Sequence, residues 1–178
     1  MPTNLELKVK IGSFVRFSRM LKKIAVYGGT LHQTDTYFKV STGRLKLREF
    51  SKSAAELIYY ERNEGEGNRW SNYRIVRVSE PARLREILDR VLGTRVVVKK
   101  ERRVYYYKRT ARIHLDKVRG LGEFLELESV AIRGRRMASV LYKELIDLLR
   151  LGDSESIKKS YSDLILLKRK ANGRGAGK

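Results

Sequence analysis

The chain has no cysteine, only two histidines and two prolines in 178 residues, and no long apolar run. Without thiols, a disulfide scaffold, a thiolate metal site and a cysteine nucleophile are all excluded. His32 and His114 are too few for a histidine-rich zinc centre. No stretch approaches the roughly 20 consecutive apolar residues of a membrane-spanning helix. Met1-Pro2-Thr3-Asn4 is not followed by the apolar segment of a secretory leader. The expectation is a soluble, cytoplasmic protein without a membrane partner, monomeric or homodimeric. Acids are also scarce, 20 Asp and Glu against 40 Lys and Arg, for a formal charge of +20. So basic a chain calls for an anionic partner, which composition alone leaves open between nucleic acid, nucleotide, polyphosphate and an acidic surface.

What is present suffices for one globular domain, with 42% hydrophobic residues. Residues 168–178 are basic and Gly-rich with nothing to bury, which reads as a disordered tail. The domain is then residues 1–167. Phe14, Phe17, Leu21 and Ile24 form one helical stripe, with Gly28-Gly29 as its stop. Leu84, Ile87, Leu88, Val91 and Leu92 form a second, opened by Ser79 and Pro81. Met137, Val140, Leu141, Leu145 and Leu148 form a third, and a short turn is expected after Asp153. The segments between alternate apolar with charged residues, as strands do. Glu6, Lys8 and Lys10 share one face; so do Arg44, Lys46 and Arg48. Arg62 goes with Ile58 and Tyr60, Lys100 with Arg102, His114 with Arg112 and Asp116, and Glu126 with Glu128. The class is α+β with a largely antiparallel sheet.

An alternating strand ordinarily turns its charges to solvent. Here like charges recur two residues apart on several strands, which repels unless a counter-ion lies between them. The alternative is a barrel with its charged faces inward, holding cations for phosphate oxygens and carboxylates for a hard divalent ion. Strand parity fixes which residues travel together, not which side is inside.

One set of motifs bears on that choice. Leu5-Glu6-Leu7-Lys8-Val9-Lys10 resembles the opening strand of the CYTH domain, the triphosphate tunnel metalloenzyme superfamily, with Asn4 where the Glu-x-Glu-x-Lys signature has its first Glu. Gln33 to Phe38, Arg44-Leu45-Lys46-Leu47-Arg48, Tyr59-Tyr60-Glu61-Arg62 and Lys100-Glu101-Arg102 are similar to later strands in order. Arg112 to Val118, Gly120-Leu121-Gly122-Glu123-Phe124-Leu125-Glu126-Leu127-Glu128, and Ser160 to Leu164 resemble the class IV adenylyl cyclase-like branch. The resemblance covers residues 4–167. It implies a closed antiparallel eight-stranded β-barrel with helices outside, charged faces inward, and Mg²⁺ or Mn²⁺ as cofactor.

The resemblance also assigns roles. Glu6, Asp116, Glu126 and Glu128 are the expected metal ligands. Lys8, Lys10, Arg44, Lys46, Arg48, Arg62, Lys100, Arg102 and Arg112 are the expected triphosphate-binding bases, with His114 touching phosphate or tuning a ligand. Glu6, Lys8 and Asp116 are the expected catalytic set. Nine bases less four acids would leave a clear positive excess for the substrate. Asn4 carries no charge, which weakens a second metal position. Tyr105, Tyr106, Tyr107 and Trp70 have rings that stack on a base, although packing is the commoner role; His32 is read as structural. The implied activity is metal-dependent hydrolysis of a triphosphate (ATP, tripolyphosphate or thiamine triphosphate), ahead of cyclisation of ATP to cyclic AMP. The competing class is a non-catalytic binder of polyphosphate or RNA.

Overall fold

The computed structural model of the protein describes residues 3–62, 70–132 and 134–175. Eight antiparallel strands close into a ring. They are β1 (Thr3–Lys10), β2 (Val26–Phe38), β3 (Arg44–Glu49), β4 (Ala55–Arg62), β5 (Trp70–Val78), β6 (Thr94–Tyr107), β7 (Ala111–Val118) and β8 (Gly122–Val130). Round the ring the order is β1-β5-β4-β3-β2-β6-β7-β8. Four helices, α1 (Phe14–Ile24), α2 (Pro81–Leu92), α3 (Arg135–Leu148) and α4 (Tyr161–Gly175), pack against it.

The apolar strand faces point outward and are covered by helices. Leu7, Val9, Ile113, Leu115, Leu125 and Leu127 are buried under Phe14 and Leu21 of α1 and Leu141 and Leu145 of α3. Each such side chain contributes about 1.5–3 kcal/mol on burial, so this shared layer holds the wall of the barrel rigid. Leu84, Leu88 and Leu92 of α2 lie over Phe38, Leu47 and Ala55. The fourth helix is different. Leu164, Ile165 and Leu166 pack with Tyr161 against the inward-facing Tyr37, Ile58, Tyr60 and Phe124, so α4 seats against inward-facing residues of the barrel rather than on its outer wall.

The eight-stranded α+β barrel is as expected, and several local readings are corrected. The first helix ends at Ile24 and leads straight into β2. Gly28 and Gly29 lie within β2, at a shift of register between Tyr27 and Gly29, because glycine permits the kink that a bulge needs. The third helix buries Ala138, Leu141 and Leu145 and leaves Met137, Val140 and Leu148 exposed, one notch round from the stripe read from sequence. No helix follows Asp153 directly; the fourth begins at Tyr161. It runs through residue 167 to Gly175, so the expected domain boundary falls inside a helix. Its Lys168-Arg169-Lys170-Ala171 segment consists of good helix formers, and Lys168 Nζ donates to the Gly120 carbonyl at 2.7 Å.

Candidate functional site

Because side chains alternate across a strand, turning the leucines and valines outward turns their neighbours inward. The interior holds a cavity of about 390 Å³, in the range of small-molecule sites. Six bases line it, Lys8, Lys46, Arg48, Lys100, Arg102 and Arg112, with the acids Glu6, Glu56, Glu126 and Glu128.

One group gathers round Asp35 on β2. The register sets Asp35 opposite Arg48 and Tyr37 opposite Lys46. Arg48 donates to Asp35 from Nε (2.8 Å) and Nη2 (2.9 Å), Lys46 Nζ donates at 3.0 Å, and Lys100 Nζ stands 3.7 Å away. Burial alone would raise the Asp35 pKa; Arg48, Lys46 and Lys100 outweigh it and hold the carboxyl well below the usual range. The bases feel each other as well. Burial and Arg48 pull Lys46 down to about 7 against the pull of Asp35. Burial and Arg102 pull Lys100 down to about 8.

A second group centres on Arg102. Its Nε and Nη2 bond both oxygens of Asp116 at 2.7 and 2.6 Å, and Nη2 also bonds Glu126. Tyr161, the first residue of α4, donates its hydroxyl to Asp116 Oδ2 at 3.0 Å. Its ring lies under the ammonium groups of Lys8 (4.1 Å) and Lys100 (5.3 Å). Lys8 Nζ also pairs with Glu126 Oε1 at 3.2 Å and donates to the Lys159 carbonyl at 3.1 Å.

A third group lies on β7 and β8. Arg112 Nη2 pairs with Glu128 Oε2 at 2.9 Å, and His114 Nδ1 lies 3.6 Å from Glu128 Oε1. Burial and Arg102 push the imidazole pKa down to about 4, so His114 is neutral at pH 7 with a lone pair to offer. Burial works against the ionisation of Glu128, but His114, protonated at the low pH where this acid titrates, and Arg112 outweigh it and bring its pKa down to about 2. Glu6 lines the same wall, opposite Glu128 in register.

Of the expected site residues, Glu6, Lys8, Lys46, Arg48, Lys100, Arg102, Arg112, His114, Glu126 and Glu128 all line the one cavity. Lys10 does not; it is exposed at the end of β1, in register with Phe124. Arg44 pairs with Asp163 of α4 at 3.0 Å, outside the cavity wall. Both have the parity of the site but stand at strand ends. The Arg62 side chain lies outside the described residues, as does that of Trp70. Asp116 is fully buried behind Arg102 and Tyr161; its oxygens are engaged in holding Arg102, so it positions a base rather than joining the ligand group. His32 lies on the outer wall. Among the three consecutive tyrosines only Tyr106 lines the cavity; Tyr105 is buried under α1, bonding Ser18 Oγ at 3.0 Å, and Tyr107 bonds Glu144 at 2.7 Å. Asp35 and Tyr161 are missing from the sequence-based set. The expected positive excess is corrected too, since Asp35 and Glu56 add acids while Lys10 and Arg44 fall away. Bases and acids in the described interior are nearly matched.

A divalent ion fits one place in this wall. His114, Glu126 and Glu128 bring one ligand atom each to within 4.8 Å of one another. His114 Nδ1 is buried with no hydrogen-bond partner among the described residues, an uncommon state for a polar atom unless something unseen completes it. Two carboxylates and a neutral imidazole suit a divalent cation, and the nitrogen donor biases the choice toward Mn²⁺ over Mg²⁺.

Structural comparison finds the same architecture elsewhere. The PH1012 protein of Pyrococcus horikoshii superposes with a TM-score of 0.79 at 22% identity, over 90% of this chain and 98% of its own. A Vibrio parahaemolyticus protein named as an adenylate cyclase gives 0.72 at 16%, over 91% and 97%. A Hippeastrum protein named as an adenylyl cyclase, and reported to have a dominant triphosphatase activity, gives 0.64 at 16%, over 90% and 93%. A comparison with curated proteins finds no match. The family profile of the CYTH domain matches residues 3–161, the whole barrel and the start of α4, and the chain belongs to the CYTH domain family.

Proposed function

We propose that this protein is a divalent-metal-dependent triphosphatase. The observation that carries the reading is the pairing, in one cavity, of a row of Lys and Arg with the His114, Glu126 and Glu128 group. Lys46, Arg48, Lys100 and Arg102 hold phosphate oxygens, the lysines as point charges and the arginines through the guanidinium donors that Asp35 and Asp116 leave over. Tyr161 and Asp116 keep Lys8, Lys100 and Arg102 in place for that contact. A divalent ion at His114, Glu126 and Glu128 would neutralise phosphate oxygens and activate water. In the step itself a water oxygen bonds to the terminal phosphorus and the bridging P–O bond breaks. The remaining diphosphate leaves, its charge held by the same bases.

Cyclisation is the second reading. There the ribose 3′-hydroxyl of ATP attacks the α-phosphorus and pyrophosphate leaves. The triphosphatase activity reported for the similarly folded Hippeastrum protein supports placing hydrolysis first. A non-catalytic polyanion binder has less support, since the near match of charges inside the barrel gives a bare polyanion little to gain. The test is purified protein with Mn²⁺ or Mg²⁺ and ATP, tripolyphosphate or thiamine triphosphate. Orthophosphate release that Glu128→Gln reduces by at least about tenfold supports the proposal. Cyclic AMP with pyrophosphate would replace it by cyclisation. Tight metal-independent binding without turnover, falling steeply with salt, would replace it by the binder.

A further inference from the structure

The ring of strands is closed, but two of its seams are paired along only part of their length. β1 and β5 pair at Thr3, Asn4 and Leu5 alone. β2 pairs with β3 only from Thr34 to Tyr37, although it pairs with β6 from end to end. Residues 6–10 of β1, 73–78 of β5 and 26–33 of β2 are therefore each left with one open edge. An open edge is a row of unpaired N–H and C=O groups, and proteins ordinarily cover or guard it.

Two of these edges follow that rule. On β1 the chain covers its own edge, where the Ile157 N–H donates to the Lys8 carbonyl at 2.8 Å. On β5 the exposed Arg74 and Arg77 set charges along the strand. Residues 26–33 of β2 have neither device. Their sequence, Val-Tyr-Gly-Gly-Thr-Leu-His-Gln, holds no lysine, arginine, acid or proline. Among the described residues, nothing on the β3 side hydrogen-bonds to their main chain. Val26 is 71% exposed, Tyr27 47% and Leu31 37%. The shift of register between Tyr27 and Gly29 bends the first part away, as bulges on edges do. From Gly29 to Gln33 the register with β6 is regular, over about the length of an ordinary strand.

We infer that residues 29–33 of β2 are a docking edge for an extended, acidic segment of a partner protein, added as a further strand. The backbone sets the shape of the occupant, because another extended backbone presents donors and acceptors at the spacing of this edge. Charge sets its composition. Lys22 and Lys23, exposed in the last turn of α1, lead into β2 at one end. Lys52 is exposed at the other, in one cleft with His32, Gln33 and Thr34. Basic groups at both ends of an uncharged edge fit a segment with Asp or Glu at its flanks and uncharged residues between. A second copy of this chain fits less well, since each copy carries +20 and the approach brings like charges together. Leu31 also lines the interior cavity, so the added strand stands against the wall of the site.

The test uses the full chain and a synthetic peptide, capped at both termini, with two glutamates at each end and alternating valine and threonine between. Main-chain amide shifts in NMR spectra follow the binding. The shifts are expected to centre on residues 29–33 and on the lysines at either end. N-methylation throughout the central run removes the peptide's backbone donors and keeps its side chains, and is expected to weaken binding by at least about tenfold. Thr30→Glu places a like charge on the edge and is expected to weaken it by a similar factor, whereas Thr30→Lys should bind at least as tightly as the native chain. Equal affinity for the methylated and unmethylated peptides, shifts confined to the cavity wall, or no binding would each overturn the edge assignment. Self-association of the chain that grows as salt is raised would give the edge to a second copy and overturn the acidic partner.

Discussion

Arg48 grips Asp35 through two parallel bonds, Nε to Oδ1 at 2.8 Å and Nη2 to Oδ2 at 2.9 Å. The same carboxylate also faces Lys46 and Lys100, so one acid offsets the mutual repulsion of three buried bases. Asp35→Asn removes that charge and leaves three buried cations repelling. Breaking a buried pair from one side costs about 3–5 kcal/mol. The variant is expected to unfold at lower urea than the native protein, and tripolyphosphate is expected to restore more stability to it than to the native chain. Melting curves with and without tripolyphosphate check this; equal ligand-induced shifts in both proteins would remove Asp35 from its role.

Lys46 and Lys100, with pKa values near 7 and 8 in the free protein, predict a proton linkage. A bound polyanion favours their charged forms and moves both back up toward the ordinary lysine value. Between those free-state values and roughly pH 10 the complex then holds more protons than its separate parts. Binding of tripolyphosphate at pH 8.5 should take up about one to two protons, and affinity should fall as pH rises through this window. Calorimetry in two buffers of different ionisation enthalpy measures the uptake. Lys46→Met should abolish part of it, and proton release on binding would contradict the placement of the phosphates.

Tyr161→Phe deletes one hydroxyl and keeps the ring beneath Lys8 and Lys100. The lost bond is to the fully buried carboxyl group that Arg102 grips, and a hydrogen bond within such a charged cluster is worth about 1.5–3 kcal/mol. The expected outcome is a loss of about 2 kcal/mol in urea unfolding with the barrel intact, together with weaker tripolyphosphate binding because Arg102 loses part of its support. Tyr161→Leu, which also removes the ring, should weaken binding further.

Most of the cavity wall could be read from the sequence because a strand has a period of two. Once Leu5, Leu7 and Val9 go outward, Glu6 and Lys8 go inward, and the same holds for Lys100 with Arg102 and for Glu126 with Glu128. Parity carries no information on position along the barrel axis, so Lys10 and Arg44 share the parity of the site and yet stand outside it. Nor does it reveal partners. Asp116 looks like a metal ligand until the register sets it opposite Arg102. Asp35 is the lone acid of an otherwise uncharged segment, Gln33 to Phe38, and its meaning comes only from β3 pairing alongside it. β5 alternates in the structure, with Tyr73 and Ile75 inward and Val76 outward, but apolar residues fall on both of its faces, so its own residues do not say which side is inside. Tyr161 enters the cavity from a helix more than 30 residues beyond the last strand, where no local pattern announces it.

The seating of α4 against inward-facing residues of the barrel has a consequence for the order of events. Tyr161, the first residue of the helix, reaches Asp116 on β7 and the ammonium groups of Lys8 on β1 and Lys100 on β6. The seat of that helix is made by residues from three strands and exists only once those strands are assembled. The C-terminal helix acts as a latch, held by the strands whose meeting made room for it.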